Sequence, residues 1–200
     1  MHDANRALPG RPRRVTSTNL TEAGIELTLP KVTVKSVADK LGVSIVAVYN
    51  NIENVEALRV LVAEEILARW TVPTPRDGDP IDRSLAILAD ALKDLVHRNP
   101  GIAGYLANKT SLPGFESAAL TASKVVKTQY AQLYGLAPVQ TEWVVETVAE
   151  HAVALAELAH VTENWGPADR WALSMRAVIV GALALVTSSQ FTSSQPRASD

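Results

Sequence analysis

The chain has 200 residues, 47% of them apolar, enough for a main core plus a small satellite domain. It has no cysteine, which excludes disulfides, zinc–thiolate centres and cysteine nucleophiles, and makes a reducing cytoplasm the default expectation. The net charge is −2, but residues 1–50 carry seven Lys/Arg against four acids, a net of +3 that leaves −5 for the remainder, as suits a nucleic-acid reader that approaches with one end.

Residues 1–14 are polar, basic and proline-interrupted, which predicts a flexible arm and no signal peptide. A first helix is expected from Thr16 or Thr18, with Leu20, Ala23, Gly24 and Leu27 on one face and Pro30 as its stop. Thr33 caps the next stretch, Val34–Leu41, and Gly42 breaks it. Ser44 caps a third helix, Ile45–Asn51. Asn54 caps a fourth that runs to about Trp70, striped by Leu58, Leu61, Val62 and Ile66. Residues 71–80, with three prolines and a glycine, read as a linker. Further helices are expected at about 81–98, at a short stretch ending near Lys109, and at 114–135, 138–163 and 167–190, with Pro138 and Pro167 in first-turn positions. The tail 192–200 reads as disordered. No strand or repeat is evident, so the expected fold class is all-α. It comprises an N-terminal helix-turn-helix domain (15–70) and a C-terminal helical domain (71–191) for ligand binding and dimerisation. The longest apolar run, Ala177–Val186, is about half the ~20 residues of a membrane span, so no membrane association is expected.

The run VKSVADKLGVSIVAVYNNI, residues 34–52, reads as two short helices meeting at a tight turn. Val37 and Leu41 face inward, Ala38 is small where the second helix crosses, Gly42 permits the turn, and Val43, Val48 and Ile52 complete the core. In a helix-turn-helix the second helix enters the major groove. Its leading turn here is Ser44, Ile45, Val46 and Ala47, with no arginine to fork onto guanine. Reading would rest on apolar contact with thymine methyls, and on Asn50 or Asn51 bonding adenine; either asparagine could equally be a surface residue or a helix-end cap. Thr33 and Lys35 stand where backbone N–H groups favour a phosphate. Tyr49 can donate to a phosphate. The arm residues Arg11, Arg13 and Arg14 lie in GRPRR, which resembles an AT-hook core, a minor-groove element.

VADKLGVSIVAVYNNI, followed by ENVEAL and a long helix, resembles the TetR (tetracycline repressor) family over residues 16–70. The resemblance implies a homodimer that binds a near-palindromic operator and is released by a small ligand, with Tyr49 at the family's near-invariant tyrosine. Two positions depart from the family's pattern. The Leu29–Val32 connection is short and lacks the common aromatic and glycine, and Val55 stands where a lysine is frequent at the start of helix four.

The C-terminal half offers no catalytic constellation, phosphate loop or histidine pair at ligand spacing, so neither an enzyme, a cofactor nor a metal is expected. Glu142, Glu146 and Glu150 read as a solvated stripe. Tyr105, Phe115, Trp143, His151 and Met175, with Tyr130 and Trp171, are candidates for a pocket that takes a small lipophilic effector, or for ordinary core. Ala177, Val178, Gly181, Ala182 and Leu185 are candidates for a dimer interface built from the last two helices of each subunit. The function expected is a ligand-responsive regulator, a repressor, bound to double-stranded DNA. A constitutive DNA binder and a helical scaffold with a degenerate helix-turn-helix are the alternatives.

Overall fold

A computed structural model describes residues 15–108, 117–164, 166–167 and 169–188. The arm 1–14, Phe115 and the tail 192–200 lie outside them. The described chain is all-helical, and it divides into two compact units inside one helix, between Val62 and Ala63.

The first unit holds α1 (Ser17–Leu27), a 3-10 turn (Leu29–Lys31), α2 (Val34–Leu41), α3 (Ile45–Tyr49) and the first half of α4 (Val55–Arg69). Each start follows from a side chain that satisfies an otherwise unpaired N–H group. The Thr16 and Asn19 side chains exchange bonds with each other's backbone. Thr33 and Ser36 do the same for α2, and Asn54 accepts from Ala57 N–H at 2.8 Å for α4. Leu20, Val37, Ala38, Val48, Leu58 and Val62 are buried together as the core, with Ile52 beside them, while Leu27, Leu41 and Val43 are only half-buried. Gly24 is where α1 meets α4: a Cβ there would lie 2.2 Å from Val62 Cγ2.

α3 stops at Tyr49, short of the expected Asn51. Asn51 N–H closes a tighter turn onto Val48 C=O at 2.9 Å, which ends the regular helix.

The link after α1 turns on Thr28, at φ 67° and ψ 145°. Only glycine visits that region freely, and other residues pay about 1–3 kcal/mol there. Thr28→Gly removes this strain and returns roughly 0.5–1 kcal/mol as backbone entropy. The expected result is a gain of about 1 kcal/mol, seen as a thermal midpoint roughly 2–4 °C higher. A lower midpoint would mean that the Thr28 side chain stabilises the turn more than its backbone strains it.

The second unit continues with the end of α4 and an irregular stretch through 71–80. It then contains α5 (Ile81–Arg98), α6 (Ile102–Asn108), α7 (Ala118–Tyr134), α8 (Pro138–Thr162) and α9 (Arg170–Val186). α8 is the central helix, packed on α5, α6, α7 and α9. Leu85, Leu88, Ala89 and Leu92 of α5 meet Val144, Val148, Ala152 and Ala156 of α8 in the core. Pro138 occupies the first turn of α8. Pro167 precedes α9 instead of opening it, its carbonyl accepting from Arg170 N–H at 2.9 Å. Gln140 bridges the ends of two helices, accepting from Ala137 N–H at 3.0 Å and donating to Val186 C=O at 2.9 Å. No described helix is long and apolar enough to cross a membrane.

Candidate nucleic-acid interface

The helix-turn-helix is assembled by local chemistry. Gly42 takes the left-handed conformation at φ 66°, which turns the chain out of α2, and Val43 N–H then bonds Ala38 C=O at 3.0 Å. The Ser44 hydroxyl accepts from Ala47 N–H at 3.1 Å and starts α3. Val48 anchors α3 in the core. With one inward residue fixed, the helical period turns Ile45, Val46 and Tyr49 outward. All three are exposed, Val46 by 67%. Ala47 is half-buried, and Ser44 and Asn50 are exposed.

Three candidates beyond the Ser44 cap are engaged within the protein. Asn51 Nδ2 donates to Ala47 C=O at 2.9 Å, so one amide proton serves as a helix-end cap. Lys35 Nζ pairs with Asp39 at 3.0 Å, both side chains well exposed. The Thr33 hydroxyl is likewise committed to Ser36 as part of the cap. Arg11, Arg13 and Arg14 lie outside the described residues. Arg59 escaped the sequence reading: its Nε donates to Val32 C=O at 3.3 Å and ties α4 to the short link before α2.

Four of the five pocket candidates lie among the described residues of the second unit. Tyr105 donates its hydroxyl proton to Glu64. Burial, then the hydrogen bond and charge of Glu64, push the phenol well above its ordinary pKa, and a bond from Ser117 offsets part of the shift. His151 Nε2 shares a hydrogen bond with Ser174 Oγ at 3.0 Å across α8 and α9. Met175 is buried in the core and Trp143 is half-buried. Phe115 is outside the described residues. A groove of about 190 Å³ is lined by Leu155, Leu158, Ala159, Thr162, Asn164, Arg170 and Trp171, and by none of the four described candidates. Tyr130 is core.

Glu64 itself was missed, although two carboxylates, Glu64 and Glu65, inside the otherwise apolar stretch 61–67 are a visible signal. It is 3% exposed and accepts from Tyr105, from Ser117 Oγ at 2.8 Å and from Ala118 N–H at 2.5 Å. The acidic stripe on α8 is not simply solvated. Lys127 of α7 reaches Glu142 at 3.1 Å and Glu146 at 2.7 Å. Burial alone would lower the Lys127 pKa, but the bonds and charges of Glu146 and Glu142 outweigh it and raise it.

The outward face of α9 carries Leu173, Ala177, Val180, Gly181 and Leu185, all exposed, with Val178 half-buried. Leu158 and Val161 of α8 are exposed as well, Val161 by 69%. Ala182 differs from its neighbours. It is 3% exposed, because at seven residues from Met175 and three from Ile179 it falls on the inward stripe of its own subunit.

No protein-family model matches the chain, and no curated protein sequence does. Solved structures do match. A single-site variant of TetR from Acinetobacter baumannii AYE, in complex with minocycline, superposes with a TM-score of 0.68 at 19% identity, over 87% of this chain and 99% of that one. Apo ActR from Streptomyces coelicolor gives 0.68 at 13% identity over 87% and 97%. ActR, a TetR family protein, in complex with actinorhodin gives 0.63 at 13% over 90% of each chain. The chain therefore has the fold of the TetR-family regulators; at these identities the likeness is one of fold.

Proposed function

We propose that this protein is a ligand-responsive transcription regulator, a repressor, that binds a near-palindromic operator in double-stranded DNA as a cytoplasmic homodimer and acts without catalysis. One observation carries the reading: a capped helix, pinned by Val48, turns Ile45, Val46 and Tyr49 to the outside. Exposed aliphatic side chains are costly to leave in water, and on the second helix of a helix-turn-helix they suit the methyl-lined floor of the major groove. Tyr49, with Lys35 and Thr33 at the start of α2 and the arm arginines Arg11, Arg13 and Arg14, would hold phosphates or the minor groove. Asn50 is free to meet an adenine, and Asn51 keeps its carbonyl oxygen and its second amide proton.

An effector finds support in neighbours of the same fold crystallised with minocycline and with actinorhodin. The expected effector here is small and lipophilic. The exposed apolar faces of α8 and α9, with Ala177, Gly181 and Leu185, would pair with their copies in a second subunit.

The test starts from a random duplex library, from which the protein selects its own site. Each thymine of the selected half-site is then replaced by uracil, which removes a methyl group and keeps base pairing. At about 0.8 kcal/mol per methyl-sized group, affinity should fall roughly fourfold at each thymine touched by Ile45 or Val46. Selection that enriches no sequence removes the DNA reading and favours a helical ligand-binding protein. Enrichment with no loss at any thymine leaves DNA binding intact and removes apolar readout.

A further inference from the structure

We propose that the groove between the end of α8 and the start of α9 is a binding site for a small monocarboxylate with a flat apolar body, an aromatic acid in chemical class. The proposal goes beyond the regulator reading and does not depend on it. The groove lies wholly within the second unit. Its volume of about 190 Å³ is below the ~300–1,000 Å³ of sites for drug-sized ligands, which suits one ring and its substituent.

The lining divides by chemistry. Leu155, Leu158 and Ala159 of α8 supply apolar surface, and Trp171 of α9 supplies an indole. That indole is fixed from α5. Its Nε1–H donates to Asp90 Oδ1 at 2.6 Å, and the Lys93 ammonium stands 4.7 Å from the ring centroid. A wall already held in place costs a ligand little ordering on binding.

The polar part of the lining is Thr162, Asn164 and Arg170. The Thr162 hydroxyl gives its proton to Leu158 C=O at 2.7 Å, so the donors that remain belong to the other two. Asn164 Oδ1 accepts from Gly166 N–H at 2.8 Å, which orients the amide and leaves its Nδ2 protons uncommitted among the described residues. Gly166 also makes room for the arginine: a Cβ there would lie 2.6 Å from Arg170 Cδ and 3.2 Å from Nη1. No acid among the described residues pairs with the Arg170 guanidinium. One cationic and one neutral N–H donor beside an apolar slot select an anion with an apolar body. The guanidinium fork matches the two oxygens of a carboxylate, and the slot rewards the ring. An inorganic anion would leave the leucines and the indole in water, and a cationic ring would be repelled.

The experiment uses the full-length chain with isotope-labelled tryptophan. The indole N–H resonance of Trp171, identified by its loss in Trp171→Phe, is followed during titration with benzoate, benzyl alcohol, benzylamine and inorganic phosphate. Benzoate should shift it saturably and bind about tenfold more tightly than benzyl alcohol or phosphate, the usual worth of a hydrogen bond to a charged group. Benzylamine should leave it in place. Arg170→Gln changes an exposed side chain, so the fold should survive. It should weaken benzoate about tenfold, to the level of benzyl alcohol, whose own binding stays the same. Gly166→Ala keeps the charge but crowds the arginine, and should weaken benzoate about threefold. A Trp171 resonance that benzoate does not move would overturn the proposal. So would benzoate binding that Arg170→Gln leaves unchanged, since the anion would then be held elsewhere. Phosphate binding as tightly as benzoate would overturn it as well, because the apolar body would contribute nothing.

Discussion

Gly181→Arg is expected to turn the protein into a folded monomer. Gly181 is exposed on α9, and a Cβ added there meets nothing within 4 Å, so the protomer has room for a longer side chain. In a paired bundle the same position would bury an unpartnered guanidinium, at a cost of about 3–5 kcal/mol. That raises the dimer dissociation constant by more than two orders of magnitude, which sedimentation at micromolar concentration resolves. The adjacent Ala182 supplies the contrast. Because it is buried in its own subunit, Ala182→Arg should lower stability rather than association alone. A Gly181→Arg protein that stays dimeric would move the interface off this face of α9.

Gly24→Leu is expected to give the largest loss of stability in the first unit. The Cβ alone would overlap Val62, at 2.2 Å from Cγ2 and 3.3 Å from Cβ, so α1 must move away from α4 or Val62 must leave its rotamer. Overpacking of this kind costs about 3 kcal/mol at the upper end of its usual range. The thermal midpoint should fall by roughly 6–12 °C. Val62→Ala opens the space, so the double variant should be more stable than the sum of the two single changes by more than ~0.5 kcal/mol. Simple additivity would show that the Gly24–Val62 approach is not the cause.

The helices were legible wherever their determinants are local. Thr33 and Gly42 bracket α2 at the expected residues, and α5 spans the expected 81–98. The outward face of α3 follows from one inward residue, Val48, and the helical period. What stayed hidden is non-local. The partners of Glu64 lie 41, 53 and 54 residues away in sequence, and no pattern around Glu64 points to them. Residue type alone did not foretell what these side chains touch: His151 bonds Ser174, and Met175 is buried. Nor did it separate Gly181 from Ala182. Both are small, and only the register of α9 decides which faces outward. Asn51 offered two roles of similar chemistry, and the helix end took one of its protons.

The placement of charge in the first unit has a consequence for life among chromosomal DNA. Residues 15–62 carry four basic side chains, Lys31, Lys35, Lys40 and Arg59, and five acids, a net of −1, while residues 1–14 carry four arginines and one aspartate, a net of +3. Lys35, Lys40 and Arg59 each face an acid of their own unit: Asp39, Glu26 and Glu56. Non-specific attraction to a duplex scales with the phosphates a protein neutralises. On the DNA reading proposed above, the folded helix-turn-helix would contribute little of it, and the first fourteen residues most. A cell holds a vast excess of irrelevant duplex that sequesters basic proteins. On that reading, the strength of the sequestration would be set by a short stretch of sequence separate from α3. If the proposed function holds, trimming or neutralising that stretch would change how long the protein lingers on the wrong DNA while leaving its preference among sequences to Ile45 and Val46.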